Sequence, residues 1–243
     1  MDHAIPGRGR VKVLAIETAT PASSVALGED GALVALNVKV DPRGHIGFLV
    51  PAIDFCFRHA GWNRSDIDVV LVDYGPGPFT GIRTGMAAAQ AFAAALGVPL
   101  VGVSSLTVQA VRAATGHRRI WSVVDMRRGQ VAVAPFRPLP GGVAPDGDAD
   151  VVGPEEFKGM LDAEPIDSLI VGDWQALPES TWSGLHRVRF GRPRYPSADV
   201  ICEIAAIQAG REDFGQASEI RPQYMREPDV QINWETFRSE GAW

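Results

Sequence analysis

At 243 residues, 46% hydrophobic and 21% charged, the chain is long enough for one large or two modest domains and has an ordinary globular composition. Its net charge of −6 argues against a role as a main nucleic-acid grip, which needs a concentrated basic patch to overcome phosphate repulsion. The least polar run, 86–103, is alanine-rich and broken by Gly97 and Pro99, and no signal-like apolar segment follows the basic residues of 1–10, so no membrane span and a cytoplasmic location are expected.

Three strands are expected first: 11–17, 23–27 and 32–40, the last two joined by Asp30-Gly31, a strong hairpin signal. A helix over 45–60 follows, with Pro51 inside it as a kink or late start. The run 67–73 is apolar almost throughout, as a central parallel strand is. A loop at 75–79 leads into a second helix over 80–96, stopped by Gly97, then a strand over 98–103 and a third helix from Ser104 or Ser105 to about Ala114. The second half repeats this more briefly: paired strands at 119–124 and 131–136, a mobile Pro/Gly/Asp-rich loop over 138–150, a helix at 154–162, strands at 168–171 and 188–190, and a helix over 198–211. Two α/β units in tandem result, 11–115 and 116–226, with 227–243 as a flexible tail.

Two helices carry too little polarity. On the first, Ile46, Leu49, Val50, Ile53 and Phe57 follow a core spacing, and Phe48, Ala52, Phe55 and His59 form a second stripe. On the second, no charge occurs between Arg83 and Arg112, and Gly81, Gly85 and Ala89 recur at four-residue spacing as a flat ridge. A helix apolar on all sides is covered on all sides. Either the second unit of the same chain covers these helices or another protein does. The second reading draws a partner interface from Phe48, Ala52, Phe55 and His59 and from Gly81, Arg83, Gly85, Met86, Ala89 and Gln90.

Chemistry is sparse. The five histidines, at 3, 45, 59, 117 and 186, include no pair at metal-binding helical spacing, and the two cysteines, Cys56 and Cys202, read as buried free thiols. The loop Gly75-Pro76-Gly77-Pro78 precedes a helix, but its prolines remove N–H donors and no Lys-Ser/Thr follows, so it reads as a stiff turn rather than a phosphate loop. The turn after the first strand, with Glu17 and Thr18, would approach phosphate and metal in a nucleotide-binding fold; without a glycine it reads as a polar hairpin tip. Two arginine groups, 118/119/127/128 and 187/189/192/194, could meet RNA phosphate or guard strand edges against aggregation.

The opening Leu14-Ala15-Ile16-Glu17-Thr18-Ala19-Thr20, then Ser23-Ser24-Val25-Ala26-Leu27, and above all Gly75-Pro76-Gly77-Pro78-Phe79-Thr80-Gly81-Ile82-Arg83-Thr84-Gly85, resemble the TsaB (YeaZ) family. Segments at 102–106, 125–131 and 221–226 match in order. Pro78 stands where that family usually has a small hydroxyl residue, and Glu17 where aspartate is common. The resemblance implies an α/β, actin/Hsp70-like ATPase fold of two RNase H-like subdomains and a non-catalytic subunit. Such a subunit pairs, through its first two helices, with the TsaD transferase that forms threonylcarbamoyladenosine beside the tRNA anticodon. It implies no intrinsic cofactor or metal, ATP/ADP and metal belonging to the complex with TsaD and the ATPase TsaE, and tRNA met through that complex. A nucleotide-dependent kinase or hydrolase of the same fold, and a homodimer that covers its own helices, are the competing readings.

Overall fold

A computed structural model describes residues 10–114, 116–192, 194–209 and 220–225. The expected tail at 227–243 and the end of the expected last helix lie outside the described residues. The first half runs β1 (Lys12–Glu17), β2 (Ala22–Glu29), β3 (Ala32–Val40), α1 (His45–Ala60), β4 (Val69–Asp73), α2 (Phe79–Leu96), β5 (Leu100–Val103) and α3 (Ser105–Arg112). Asp30 and Gly31 turn the β2–β3 hairpin with φ of 53° and 80°, the left-handed pair a tight hairpin needs. β2 is antiparallel to β1 and β3 to β2, whereas β4 is parallel to β1 and β5 to β4, giving the order β3-β2-β1-β4-β5. β4 is buried along its whole length and β1 from its second residue on, which is why both read as nearly unbroken apolar runs.

The second half runs β6 (Arg119–Asp125), β7 (Val131–Leu139), β8 (Gly142–Pro145), β9 (Asp150–Val152), α4 (Pro154–Asp162), β10 (Ser168–Gly172), β11 (Val188–Phe190) and α5 (Ala198–Ala209). Its sheet order is β8-β7-β6-β10-β11, with β7 and β8 antiparallel to their neighbours and β10 and β11 parallel to theirs. Strand for strand this repeats the first sheet, so two RNase H-like units make up the actin/Hsp70-like ATPase fold. Two short 3-10 turns, Trp174–Ala176 and Glu179–Trp182, occupy the place of α2 between β10 and β11. The stretch 138–150, expected as a mobile loop, instead completes β7, forms β8 and begins β9; Gly141, at φ 81°, turns β7 back on itself.

Alternation along the strands sets the layers. Leu14, Ile16, Val25, Leu27, Val70 and Val72 face α1 and α2, which bring Phe48, Leu49, Ile53, Ile82 and Met86. Val13, Ala15, Ala26 and Leu71 face the opposite way and meet Val200, Ile201 and Ile204 of α5. Helix α3 turns Leu106 and Ala110 toward Ile120, Val124 and Phe136 of the second sheet. The remaining face of that sheet carries an aromatic core of Trp121, Phe157, Trp174 and Trp182. Thus α3 and α5 lie between the sheets, and α1 and α2 form an outermost layer.

Candidate functional site

Among the described residues the second unit reaches the outer layer at Ile220 and at the start of α2, where Tyr224 stacks on Phe79 at 4.4 Å and accepts from Arg83 Nε at 2.9 Å; its α5 packs on the opposite face of the first sheet. In α1 the buried face is His45, Phe48, Leu49, Ala52, Ile53, Cys56 and Phe57, at the i, i+3, i+4, i+7 spacing of a core stripe. That choice buries both Phe48 and Phe57 and turns Ile46 and Val50 outward, 74% and 71% exposed, which corrects their expected place in the core. The helix begins at His45 and continues through Pro51, so Pro51 is not a late start; the Gly47 carbonyl, deprived of its N–H partner, is on an exposed residue and open to water. In α2, Gly81, Ile82, Gly85, Met86, Ala89 and Ala93 are buried. Thr80, Arg83, Ala87, Gln90, Ala91 and Ala94 face outward.

The ten expected contact residues therefore divide. Phe48, Ala52, Gly81, Gly85, Met86 and Ala89 are spent within the chain. Phe55 is half-buried, with its ring stacked 3.9 Å from that of His59, and His59, Arg83 and Gln90 are exposed. The glycine ridge does not await a second helix: it seats α2 on β1 and the turn after it. A methyl at Gly81 would collide with the Thr18 carbonyl oxygen, one at Gly85 with Thr18 Oγ1, and one at Gly77 with the Ala19 carbonyl oxygen. Thr18 Oγ1 donates to the Gly81 carbonyl at 2.7 Å, closing the contact.

Beneath this seal lies a pair of carboxyls. Ile16 registers with Val72 on the parallel strands β1 and β4, so Glu17 and Asp73 continue neighbouring strands, and both are fully buried. Glu17 Oε1 accepts from Thr20 Oγ1 at 3.2 Å; Asp73 Oδ1 accepts from the Gly75 N–H at 2.8 Å and Ser105 Oγ at 2.7 Å. Glu17 Oε2 and Asp73 Oδ2 have no partner among the described residues. Burial pushes Asp73 up to about 7, and burial together with the Asp73 charge raises Glu17 well above the usual carboxylate range. This is the strand end at which a nucleotide-binding relative of this fold would meet phosphate. Here the backbone of the 75–81 loop lies against the 18–19 carbonyls, too close to admit a methyl at Gly77 or Gly81.

The pair makes stability depend on pH. A carboxyl whose folded pKa exceeds its unfolded value binds its proton more tightly in the folded chain, so stability declines as pH rises from about 4 and levels off above the folded value, about 7 for Asp73. Asp73→Asn removes one titrating partner and relieves Glu17 of its neighbour's charge. The drop in Tm between pH 5 and pH 8 should shrink in this variant; a drop as large as that of the parent chain would assign the dependence to other groups.

The second sheet has its own pair at the matching place. Asp173 Oδ2 accepts the Asp125 N–H at 3.0 Å, and Asp125 Oδ1 accepts the Arg127 N–H at 2.7 Å. These groups line a cleft of about 390 Å³ between the halves, which Thr20, Pro78 and Arg194 also border. Burial, and secondarily the charge of Asp125, raise the Asp173 carboxyl. Cys56 and Cys202 are both buried and free. No helix among the described residues is long and apolar enough to cross a membrane, and no three potential ligands gather as a metal site there.

Sequence reasoning missed Ile46, Val50 and Ala87 as the outward face. Spacing gave no signal for the first two: Ile46 and Val50 lie eleven and seven residues before Phe57, on its stripe, and differ from it only in what packs over them. It also missed Asp73 as the partner of Glu17, a pairing visible only once β1 and β4 are aligned.

A family model described as TsaD: tRNA N6-adenosine threonylcarbamoyltransferase matches residues 39–153. The tRNA threonylcarbamoyladenosine biosynthesis protein TsaB of Escherichia coli K12 is 31% identical over 221 residues, spanning 89% of this chain and 95% of that one. An uncharacterized protein of Mycobacterium tuberculosis H37Rv is 34% identical over 223 residues, 90% of this chain and 93% of its own. The solved structure of YeaZ from Pseudomonas aeruginosa superposes with a TM-score of 0.76 at 27% identity, covering 88% of this chain and 99% of that one.

Proposed function

Because the chain belongs to the TsaB family of tRNA threonylcarbamoyladenosine biosynthesis proteins, we propose that it is the non-catalytic subunit of the assembly that makes this modification, and that it docks a TsaD-type transferase on the outward face of α1 and α2. The observation that carries this reading is the apolar part of that face that no described residue covers. Ile46 and Val50 stand 74% and 71% exposed, with Ala87, Ala91 and Ala94 exposed on α2 and no acidic residue anywhere on that helix. An apolar face on an outermost layer is what a stable partner of related fold would cover. The 39–153 match to the TsaD family model spans both helices, consistent with two related subunits meeting through like surfaces.

The absence of catalysis is supported by the sealed strand ends. Glu17 and Asp73 have no exposed surface, and the loop beside them packs its backbone against the 18–19 carbonyls. ATP, ADP and metal then belong to the transferase and a TsaE-type ATPase, with tRNA bound by the assembled complex in the cytoplasm. Reconstitution tests the role. Purified transferase and ATPase should yield modified adenosine only when this chain is added. Equal yield without it, or ATP hydrolysis by the chain alone that falls in Glu17→Ala, would favour an enzyme of the same fold.

A further inference from the structure

The segment 186–195 contains four arginines and no acid in a chain whose net charge is −6. Its residues 188–190 form β11, the outer strand of the second sheet. Arg187, Arg189, Arg192 and Arg194 are all exposed. Among the described residues Arg187 donates only to the Pro165 carbonyl and Arg189 only to those of His186 and Val188, bonds to neutral acceptors. Among the described residues Arg192 and Arg194 have no ion pair. The other arginine group behaves differently: Arg119 is held by Asp146 at 3.0 Å and by Glu164, and Arg127 by Asp125 at 3.5 Å.

Guarding a strand edge against aggregation accounts for Arg189, which lies in β11. It does not account for Arg192 and Arg194, which lie beyond the strand and line a depression of about 250 Å³ between α3 and the β10–β11 edge. Leu169, Val171 and Ala113 give this depression an apolar lining, and Arg112 stands on its rim, 3.3 Å from Asp199. Arg194 and Tyr195 also border the cleft between the halves, so they form a ridge between two hollows. Spaced guanidiniums beside an apolar hollow and a half-buried tyrosine ring match the needs of unpaired RNA. Phosphates take the guanidiniums, and an unstacked base takes the ring or the apolar lining.

We infer that Arg192 and Arg194 form a direct contact for the phosphates of single-stranded or loop RNA, an inference that rests on the proposed role in tRNA modification. The chain then does more than hold the transferase: it presents its own basic ridge to the substrate. The test uses the full chain in complex with a TsaD-type subunit and a fluorescent anticodon stem-loop RNA, titrated between 50 and 200 mM salt. Arg192→Glu combined with Arg194→Glu should weaken binding at least tenfold and reduce the slope of log affinity against log salt by about 1.4, roughly 0.7 per lost single-strand phosphate contact. Arg137→Glu, an exposed arginine elsewhere on the second sheet, should change affinity less than twofold. Unchanged affinity and slope in the double variant would overturn the inference, as would an equal loss in Arg137→Glu or equally tight binding of inorganic polyphosphate. Co-purification of the double variant with the transferase reads the docking proposal separately: its loss there counts against the assigned docking face, not against the RNA contact.

Discussion

Val50→Asp is expected to weaken binding of a TsaD-type subunit by at least about a hundredfold while leaving the free chain folded. Val50 is 71% exposed in the first half of α1, so an aspartate there meets water, and valine and aspartate have similar helix propensities. Substitutions at such positions ordinarily change stability by about half a kcal/mol or less. In a covered contact the same carboxylate must lose its water without a partner, a cost of several kcal/mol, and about 3 kcal/mol already corresponds to roughly a hundredfold in Kd. Ile46→Asp, at 74% exposure on the same face, should act alike. Calorimetric titration with purified transferase reads the loss, and a thermal melt reads the fold. Binding within threefold of the parent chain for both variants would place the contact elsewhere.

Gly77→Ala should lower Tm by about 2–12 °C, the largest stability effect expected of a single added methyl. Its Cβ would overlap the Ala19 carbonyl oxygen, a backbone atom fixed by the β1–β2 turn, so the loop and turn must part. Overpacking of this kind costs about 1–3 kcal/mol or more, and in a chain of this size each kcal/mol moves Tm by about 2–4 °C. Gly159→Ala is the contrasting change. Gly159 is exposed in α4, nothing lies within 4 Å of its added Cβ, and alanine should stabilise the helix by about 0.5–1 kcal/mol. A Gly77→Ala variant as stable as the parent would mean that the loop does not seal the buried carboxyls. Gly85→Leu belongs with Gly77→Ala: its side chain would run into Thr18 and Ile16, so it disturbs the fold and cannot serve as a clean probe of docking.

Most of the fold was legible because β1, β4 and β10 are dense apolar runs and the boundaries of α1 and α4 carry plain signals; α1 ends at Gly61 in a left-handed cap. What failed was local. The stretch 138–150 looked like a loop because its glycines and prolines suit turns, yet Gly142–Pro145 pairs with β7 through backbone bonds that composition does not reveal. The orientation of α1 was ambiguous for a physical reason: with apolar residues on two stripes, spacing alone cannot say which one meets the sheet. Packing settles it in favour of the face with two phenylalanines. The glycine ridge of α2 was recognised as a surface of close approach, but its partner is the Thr18 turn of the same chain. The polar reading of that turn and the structural reading of the 75–81 loop were each sound; their mutual contact, which closes off Glu17 and Asp73, is long-range and had no signature in either segment.

Site-specific photo-crosslinking addresses the central claim most directly. A crosslinking residue at Ala87, on the outward face of α2, should capture the TsaD-type subunit in high yield, whereas one at Val34, 41% exposed on the edge strand β3, should not. Capture from Val34 with none from Ala87 would contradict the account, because the transferase would then rest on the sheet edge and leave α1 and α2 bare.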